Sequence, residues 1–168
     1  MPANADSQRK RCFDPVVDAG TRVLILGSLP GEQSLARGEY YGNRQNRFWH
    51  LVSAVFGRDL VPLDYPARLA ALQALGVGLW DVVAEAERPG SLDASIRAPA
   101  GNDLQGLVAR LPALEVIAFN GGTAARLGAK VLSGVAERYK IVRLPSSSPA
   151  HTMAFAEKLQ AWGKLKLG

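Results

Sequence analysis

Three short segments carry side chains suited to chemistry. The first is Tyr40-Tyr41-Gly42-Asn43-Arg44-Gln45-Asn46-Arg47, which leads into Phe48-Trp49. Aromatic rings beside amides and guanidinium groups are suited to stacking on a nucleobase and hydrogen-bonding its edge. Phe48 and Trp49 read as core, whereas Gly42 and the polar run place the two tyrosines on a loop. The second segment is Pro145-Ser146-Ser147-Ser148-Pro149. Its hydroxyls and backbone N–H groups either hold a phosphate or cap the last helix. His151 follows at once and is either structural or a DNA contact. The third is Gly27-Ser28-Leu29-Pro30-Gly31, a phosphate loop or a tight strand-to-loop turn. No Lys-Ser or Lys-Thr follows it, and its glycine spacing is not that of a dinucleotide site, so neither nucleotide reading is supported.

Other chemistries find little material. A Ser-His-Asp triad would need His50 or His151, and no Gly-x-Ser-x-Gly elbow is present. Cys12 is the single cysteine, with no histidine near it in sequence. One cysteine and two histidines exclude an internal disulfide and a Cys-based zinc site and argue against a structural metal. The expectation is no metal and no cofactor.

The elements that must position these segments fit one domain. The chain has 168 residues, 48% hydrophobic and 21% charged, enough to bury a real core. No apolar run is long enough to span a membrane. Residues 1–12 lack the apolar centre of a signal peptide, so a cytoplasmic location is expected. The net charge is +5, with +2 contributed by residues 1–12 and +2 by residues 151–168. The middle of the chain is nearly neutral, so the basic balance is only a weak pointer to a polyanionic partner.

Residues 1–20 read as a flexible N-terminal arm, and 21–168 as a single domain. Short apolar runs at 23–26, 77–83, 116–119 and 141–144, bounded by Gly, Asn or Pro, read as buried strands. Helices are expected over 45–56, 65–75, 103–111, 123–132 and 153–165. Asp64 and Asn102 are expected caps, and Pro66 sits in a first turn. Strands alternating with helices argue an α/β fold with a mostly parallel sheet covered on both faces. Ligands in such folds sit beyond the carboxyl ends of the strands. Those ends are the Gly27–Gly31 turn, Asp81, Asn120-Gly121-Gly122 and the serine run. Their shared small and polar character says more than any one motif.

Taken in order, GSLPGEQSL, EYYGNRQNRFW, GVGLWDVV, SLDASIR, AFNGGTA and LPSSSPA resemble the uracil-DNA glycosylase superfamily, and in particular its hypoxanthine-DNA (deoxyinosine) glycosylase branch. The resemblance spans residues 22–155. It implies a three-layer α/β/α sandwich around a four-stranded parallel sheet. Ser28 stands where uracil and mismatch branches carry Asp or Asn, so the usual catalytic residue is missing there. The resemblance implies Asn46 in its place, with Asn43 as the neighbouring candidate. It implies that Tyr41 stacks on the flipped base, and that Leu29, Asp81 and Asn120 line the base pocket. It implies that Ser146, Ser147 and Ser148, with Arg44, hold the flanking phosphates. Leu144 stands where uracil enzymes carry a histidine.

The implied reaction is hydrolysis of the N-glycosidic bond of a deaminated base, hypoxanthine with uracil and xanthine as further candidates. The enzyme would be monofunctional and act as a monomer on DNA in base excision repair. Two other readings stand beside it: a non-catalytic nucleic-acid-binding module of the same fold, and an enzyme acting on free nucleosides.

Overall fold

The structure, a computed structural model, describes residues 9–166. In chain order the elements are β1 (Arg9–Arg11), β2 (Val23–Gly27), α1 (Glu32–Arg37), α2 (Phe48–Phe56), α3 (Tyr65–Ala74), β3 (Val77–Asp81), β4 (Val83–Glu87), β5 (Arg97–Gly101), α4 (Leu104–Ala109), β6 (Val116–Asn120), α5 (Gly122–Val131), β7 (Lys140–Leu144) and α6 (Phe155–Trp162). Four strands form a parallel sheet in the order β3-β2-β6-β7.

The two central strands are buried at every position, as strands covered on both faces must be. Side chains alternate between the faces. Val23 and Ile25 join a cluster with Phe48, Leu51 and Val52 of α2, Leu72 of α3 and Trp162 of α6. Leu24 and Leu26 join the opposite cluster with Leu104 and Leu107 of α4 and Ala124 of α5. The result is the expected α/β/α sandwich. Register brings Gly27 level with Asp81, and Asn120 level with Leu144. The chain moves from β2 to β3 on one side, then crosses to β6 on the other. A crevice beyond the ends of β2 and β6 follows from that reversal.

Four expectations need correction. The run 77–83 is two strands: it bends at Val82, whose N–H donates to Gly27 O at 2.8 Å. Beyond the bend, β4 pairs with β1 and β5 in a separate antiparallel sheet of three strands. An apolar run cannot report a bend within it. The second correction concerns the arm. Its residues 1–8 lie outside the described residues, but Arg9–Arg11 form β1, and Val16 bridges to Leu79. Arg9 and Arg11 pair with Glu85, and Lys10 with Glu32.

Third, α2 starts at Phe48 rather than 45. Asn43 Oδ1 accepts Gln45 N at 2.9 Å and Asn46 Oδ1 accepts Phe48 N at 3.0 Å, so side-chain turns replace the first helical turn. Fourth, Asp103 caps α4, not Asn102. The Asn102 amide instead donates to Asp81 O at 2.7 Å and tethers the end of β3. Asp64 caps α3 as expected, accepting Ala67 N at 2.9 Å.

Helix α6 fixes the segment after β7. Trp162 is fully buried, lies edge-on to Phe48, and donates its indole N–H to Pro145 O at 2.9 Å. We expect Trp162→Phe to lower stability by about 1–2 kcal/mol, because the Pro145 carbonyl loses that donor while most of the ring packing survives. Urea unfolding of the two proteins measures it.

Candidate active site

The ends of β2, β3 and β6 and the serine segment after β7 enclose a cleft of about 330 Å³. That volume suits a small ligand. Ser28, Leu29, Tyr41, Asn43, Asn46, Asp81, Asn120, Ser146, Ser147 and Ser148 all line it, so the structure brings together every expected site residue except Arg44. Arg44 is exposed on the adjoining grooves.

Asn120 links two of the three segments. Its amide donates to Ser147 Oγ at 2.9 Å and to Tyr41 Oη at 3.2 Å, and its carbonyl accepts Ser147 N at 2.9 Å. Tyr41 has a left-handed backbone, φ 55°, and its ring stacks on Phe48 with centroids 3.8 Å apart. One face of Tyr41 is therefore covered by core. Tyr40 lies on the expected loop but is not exposed. It is 2% exposed, sits edge-on to Phe13, and its N–H donates to Tyr65 Oη at 2.9 Å. The core side of the sheet has absorbed it.

The three serines differ. Ser147 is buried and its hydroxyl is engaged by Asn120, so it holds the loop from within. Ser146 Oγ accepts Ser148 N, and Ser148 Oγ accepts Ala150 N. Each of these two hydroxyls keeps its proton to donate. None caps α6, whose N-cap is Ala154. Lys158 of α6 is buried and donates to Ser148 O at 3.1 Å, with burial and then Arg47 lowering its pKa. It lines the neighbouring groove beside Arg47, Phe155 and His151, not the main cleft.

The floor of the cleft is crowded by design of the backbone. A β-carbon on Gly27 would stand 2.7 Å from Asp81 Oδ1 and 3.1 Å from Tyr41 Oη. Glycine is required because both side chains close over that strand end. Asp81 is 3% exposed, and its Oδ2 has no hydrogen-bond partner. Burial, reinforced by Asp93 and opposed by Arg88, pushes its pKa up to about 8, so it is largely neutral near pH 7.

Two charged residues beside the cleft were not among the expected site residues, although Asp93 lies within the SLDASIR segment. Asp93 lies in a 3-10 turn between β4 and β5 and accepts the Ser28 hydroxyl at 2.6 Å. Arg88, with a side chain 0% exposed, faces Asp93 Oδ1 at 3.6 Å. It also donates to the carbonyls of Leu29, Pro30 and Gly90. Burial raises the Asp93 pKa, against the Ser28 hydrogen bond and then Arg88. Arg88 lies outside every segment that carries the resemblance, and Asp93 falls inside one without a role assigned to it. Among the described residues, no group of three or more His, Cys, Asp or Glu is placed to hold a metal ion. No helix among them is long and apolar enough to cross a membrane.

Comparison with known proteins agrees with this geometry. The sequence profile of the uracil DNA glycosylase superfamily matches residues 15–166. A hypoxanthine DNA glycosylase of Methanosarcina acetivorans is 39% identical over 153 residues, 91% of this chain and 95% of the relative. Another, from Methanosarcina barkeri, is 35% identical over 156 residues, 93% and 97% of the two chains. The solution NMR structure of a candidate uracil DNA glycosylase from M. acetivorans superposes with a TM-score of 0.83 at 38% identity, covering 94% of this chain and 96% of that one.

The state of Asp81 has a consequence for stability. Folded Asp81 binds its proton more tightly than the unfolded chain, whose carboxyl titrates near 3.8. Its contribution is therefore complete below pH 4 and is lost as the pH rises through about 8. We expect Asp81→Asn to be more stable than the native chain at pH 7.5 by about 1 kcal/mol or more, with little difference at pH 4. Thermal unfolding across that range is the check.

Proposed function

The chain belongs to the uracil DNA glycosylase superfamily, and from that we propose that it excises deaminated bases, hypoxanthine foremost, from DNA by hydrolysing the N-glycosidic bond. The observation that carries the reading is the cleft itself. It joins an aromatic ring, two fixed amides and a hydroxyl loop at the strand ends, in a chain similar to proteins named hypoxanthine DNA glycosylase.

The target nucleotide leaves the helix stack at a cost of a few kcal/mol, least at a mispaired base. Tyr41, backed by Phe48, offers the base a rigid ring already held in place from behind. Such stacking contributes roughly 1–3 kcal/mol. Leu29, Asp81 and Asn120 surround the extruded base. A neutral Asp81 donates one hydrogen bond and accepts another, which matches a lactam edge such as that of hypoxanthine. The free hydroxyl protons of Ser146 and Ser148 face a flanking phosphate, supported by Arg44 from the adjoining groove. Ser147 keeps the loop in register with Asn120.

Asn46 positions the water that attacks C1′. Its Oδ1 is already oriented by Phe48 N–H, and the amide is not a strong base. Bond breaking must therefore run ahead of attack. Asn43, fixed by Gln45 N–H, is the second candidate for this role. The enzyme acts as a monomer and leaves the sugar–phosphate backbone intact. Supporting this, no lysine lines the main cleft among the described residues. Lys158 is directed to Ser148 O in the neighbouring groove.

The test is a panel of labelled oligonucleotides, each carrying one deaminated base, scored for abasic sites. Release of hypoxanthine is the expected result, while binding without release from any substrate would leave a non-catalytic nucleic-acid module. Asn46→Ala should slow release by about 10²-fold with duplex affinity nearly unchanged. If Asn46→Ala turns over normally and Asn43→Ala does not, the water belongs to Asn43. Borohydride during turnover should trap no protein–DNA adduct, because a Schiff base needs a lysine amine within reach of the sugar.

A further inference from the structure

Hydrolysis of an N-glycosidic bond builds positive charge on the sugar, and neither Asn43 nor Asn46 carries a charge to meet it. A carboxylate does so best, both by attraction to the cation and by taking the proton of the attacking water. Only two carboxyl groups line the cleft among the described residues, Asp81 and Asp93. They are not equivalent. Asp81 is buried under Gly27 and Tyr41. Asp93 has a side chain 34% exposed and so meets solvent.

Asp93 is also the better held. Ser28 Oγ donates to its Oδ1 at 2.6 Å, and the Arg88 guanidinium stands 3.6 Å from the same oxygen. Both contacts fall on Oδ1, which leaves Oδ2 to accept from water. Resting on the glycosylase reading above, we infer that Asp93, oriented by Ser28 and Arg88, is the carboxylate that receives the water proton and stabilises the sugar cation during base release. The carboxylate thus reaches the cleft from the β4–β5 connection, and Ser28 acts as its positioning residue.

The step balances without a further reactant. The C1′–N bond breaks with its electron pair on the departing base, which takes a proton from solvent. The water oxygen bonds to C1′ and its proton passes to Asp93, which returns it to solvent. The charged and titratable groups around Asp93 are Arg88 from the end of β4, Asp81 from β3 and Tyr41 from the loop before α2, with Glu32 acting on Arg88. Arg88 and the Ser28 hydroxyl favour the ionised form, and burial opposes it. A carboxyl displaced upward is closer to the working pH and a more effective base.

The experiment uses the full chain and a labelled duplex carrying the base that the wild type releases best, under single-turnover conditions. Asp93→Asn keeps the shape and the acceptor for Ser28 but removes the charge. It should slow release by about 10²-fold or more while duplex Kd changes less than about threefold. Ser28→Ala supplies a second measurement if Asp93→Asn folds poorly. Losing a hydrogen bond to the ionised form raises the Asp93 pKa, so the acid limb of the rate profile should move to higher pH. An Asp93→Asn rate within about fivefold of wild type, or a Ser28→Ala profile that superimposes on wild type, overturns this assignment and leaves the glycosylase reading standing. A wild type that releases no base from any duplex overturns that reading, and the assignment with it.

Discussion

The buried guanidinium of Arg88 is the contact on which the site depends. A cation out of water is costly unless its nitrogens find acceptors and a counter-charge is near. Arg88 meets that demand with backbone carbonyls from two separate segments, Leu29 and Pro30 on one side and Gly90 on the other. It thereby clamps the turn after β2 to the hairpin between β4 and β5. The small antiparallel sheet is the scaffold that delivers this side chain, and β1 completes that sheet through pairs such as Arg11 with Glu85. The parallel sheet places Ser28; the second sheet places Asp93 against it.

One cation facing two carboxyls also separates their behaviour. Asp93 has the nearer guanidinium and the Ser28 hydroxyl, while Asp81 has an orphaned oxygen. Two carboxyls in one low-dielectric site are driven apart in charge state, because ionising both is unfavourable. Two coupled carboxyls, one buried and one in contact with solvent, can play different parts. A buried carboxyl oxygen without a protein partner, such as Asp81 Oδ2, is costly unless another group satisfies it.

Much of this was legible beforehand. Alternation of Val23, Leu24, Ile25 and Leu26 between two helical layers follows from apolar strands bounded by glycine and polar ends, and the convergence of Gly27, Asp81, Asn120 and the serines follows from parallel topology. What failed to show was long-range pairing of weak local patterns. The strand Val83–Glu87 alternates Ala and Glu, which reads as surface, and its burial depends on Arg9–Arg11 and Arg97–Gly101 arriving from elsewhere. Tyr40 and Tyr41 are adjacent and identical in type, yet Tyr40 is buried with the core while Tyr41 packs only partly against it and meets the Asn120 amide. The positive φ of Tyr41 separates them, and no propensity announces a tyrosine there. Asp93 needed the hairpin, and the hairpin needed Arg88.

Electrostatics then constrain how such a site finds its target. The basic residues at the start of the described chain are matched with Glu85 and Glu32, and Lys158 is turned inward to Ser148 O. Beside the cleft, Arg44 and Arg47 remain exposed on the groove shared with His151, Met153 and Phe155. Arg47 is already drawn over the Phe155 ring at 5.8 Å. The number of such cations that meet a bound duplex sets how many counterions are displaced, and with it the non-specific attraction. On the proposed reading the cleft adds affinity for an extruded base through stacking on Tyr41, which Phe48 backs, and hydrogen bonding to the buried Asp81 carboxyl. A normal base, held by its pair in the helix, yields that gain only after a larger unpairing cost. On that reading, discrimination resides in the cleft.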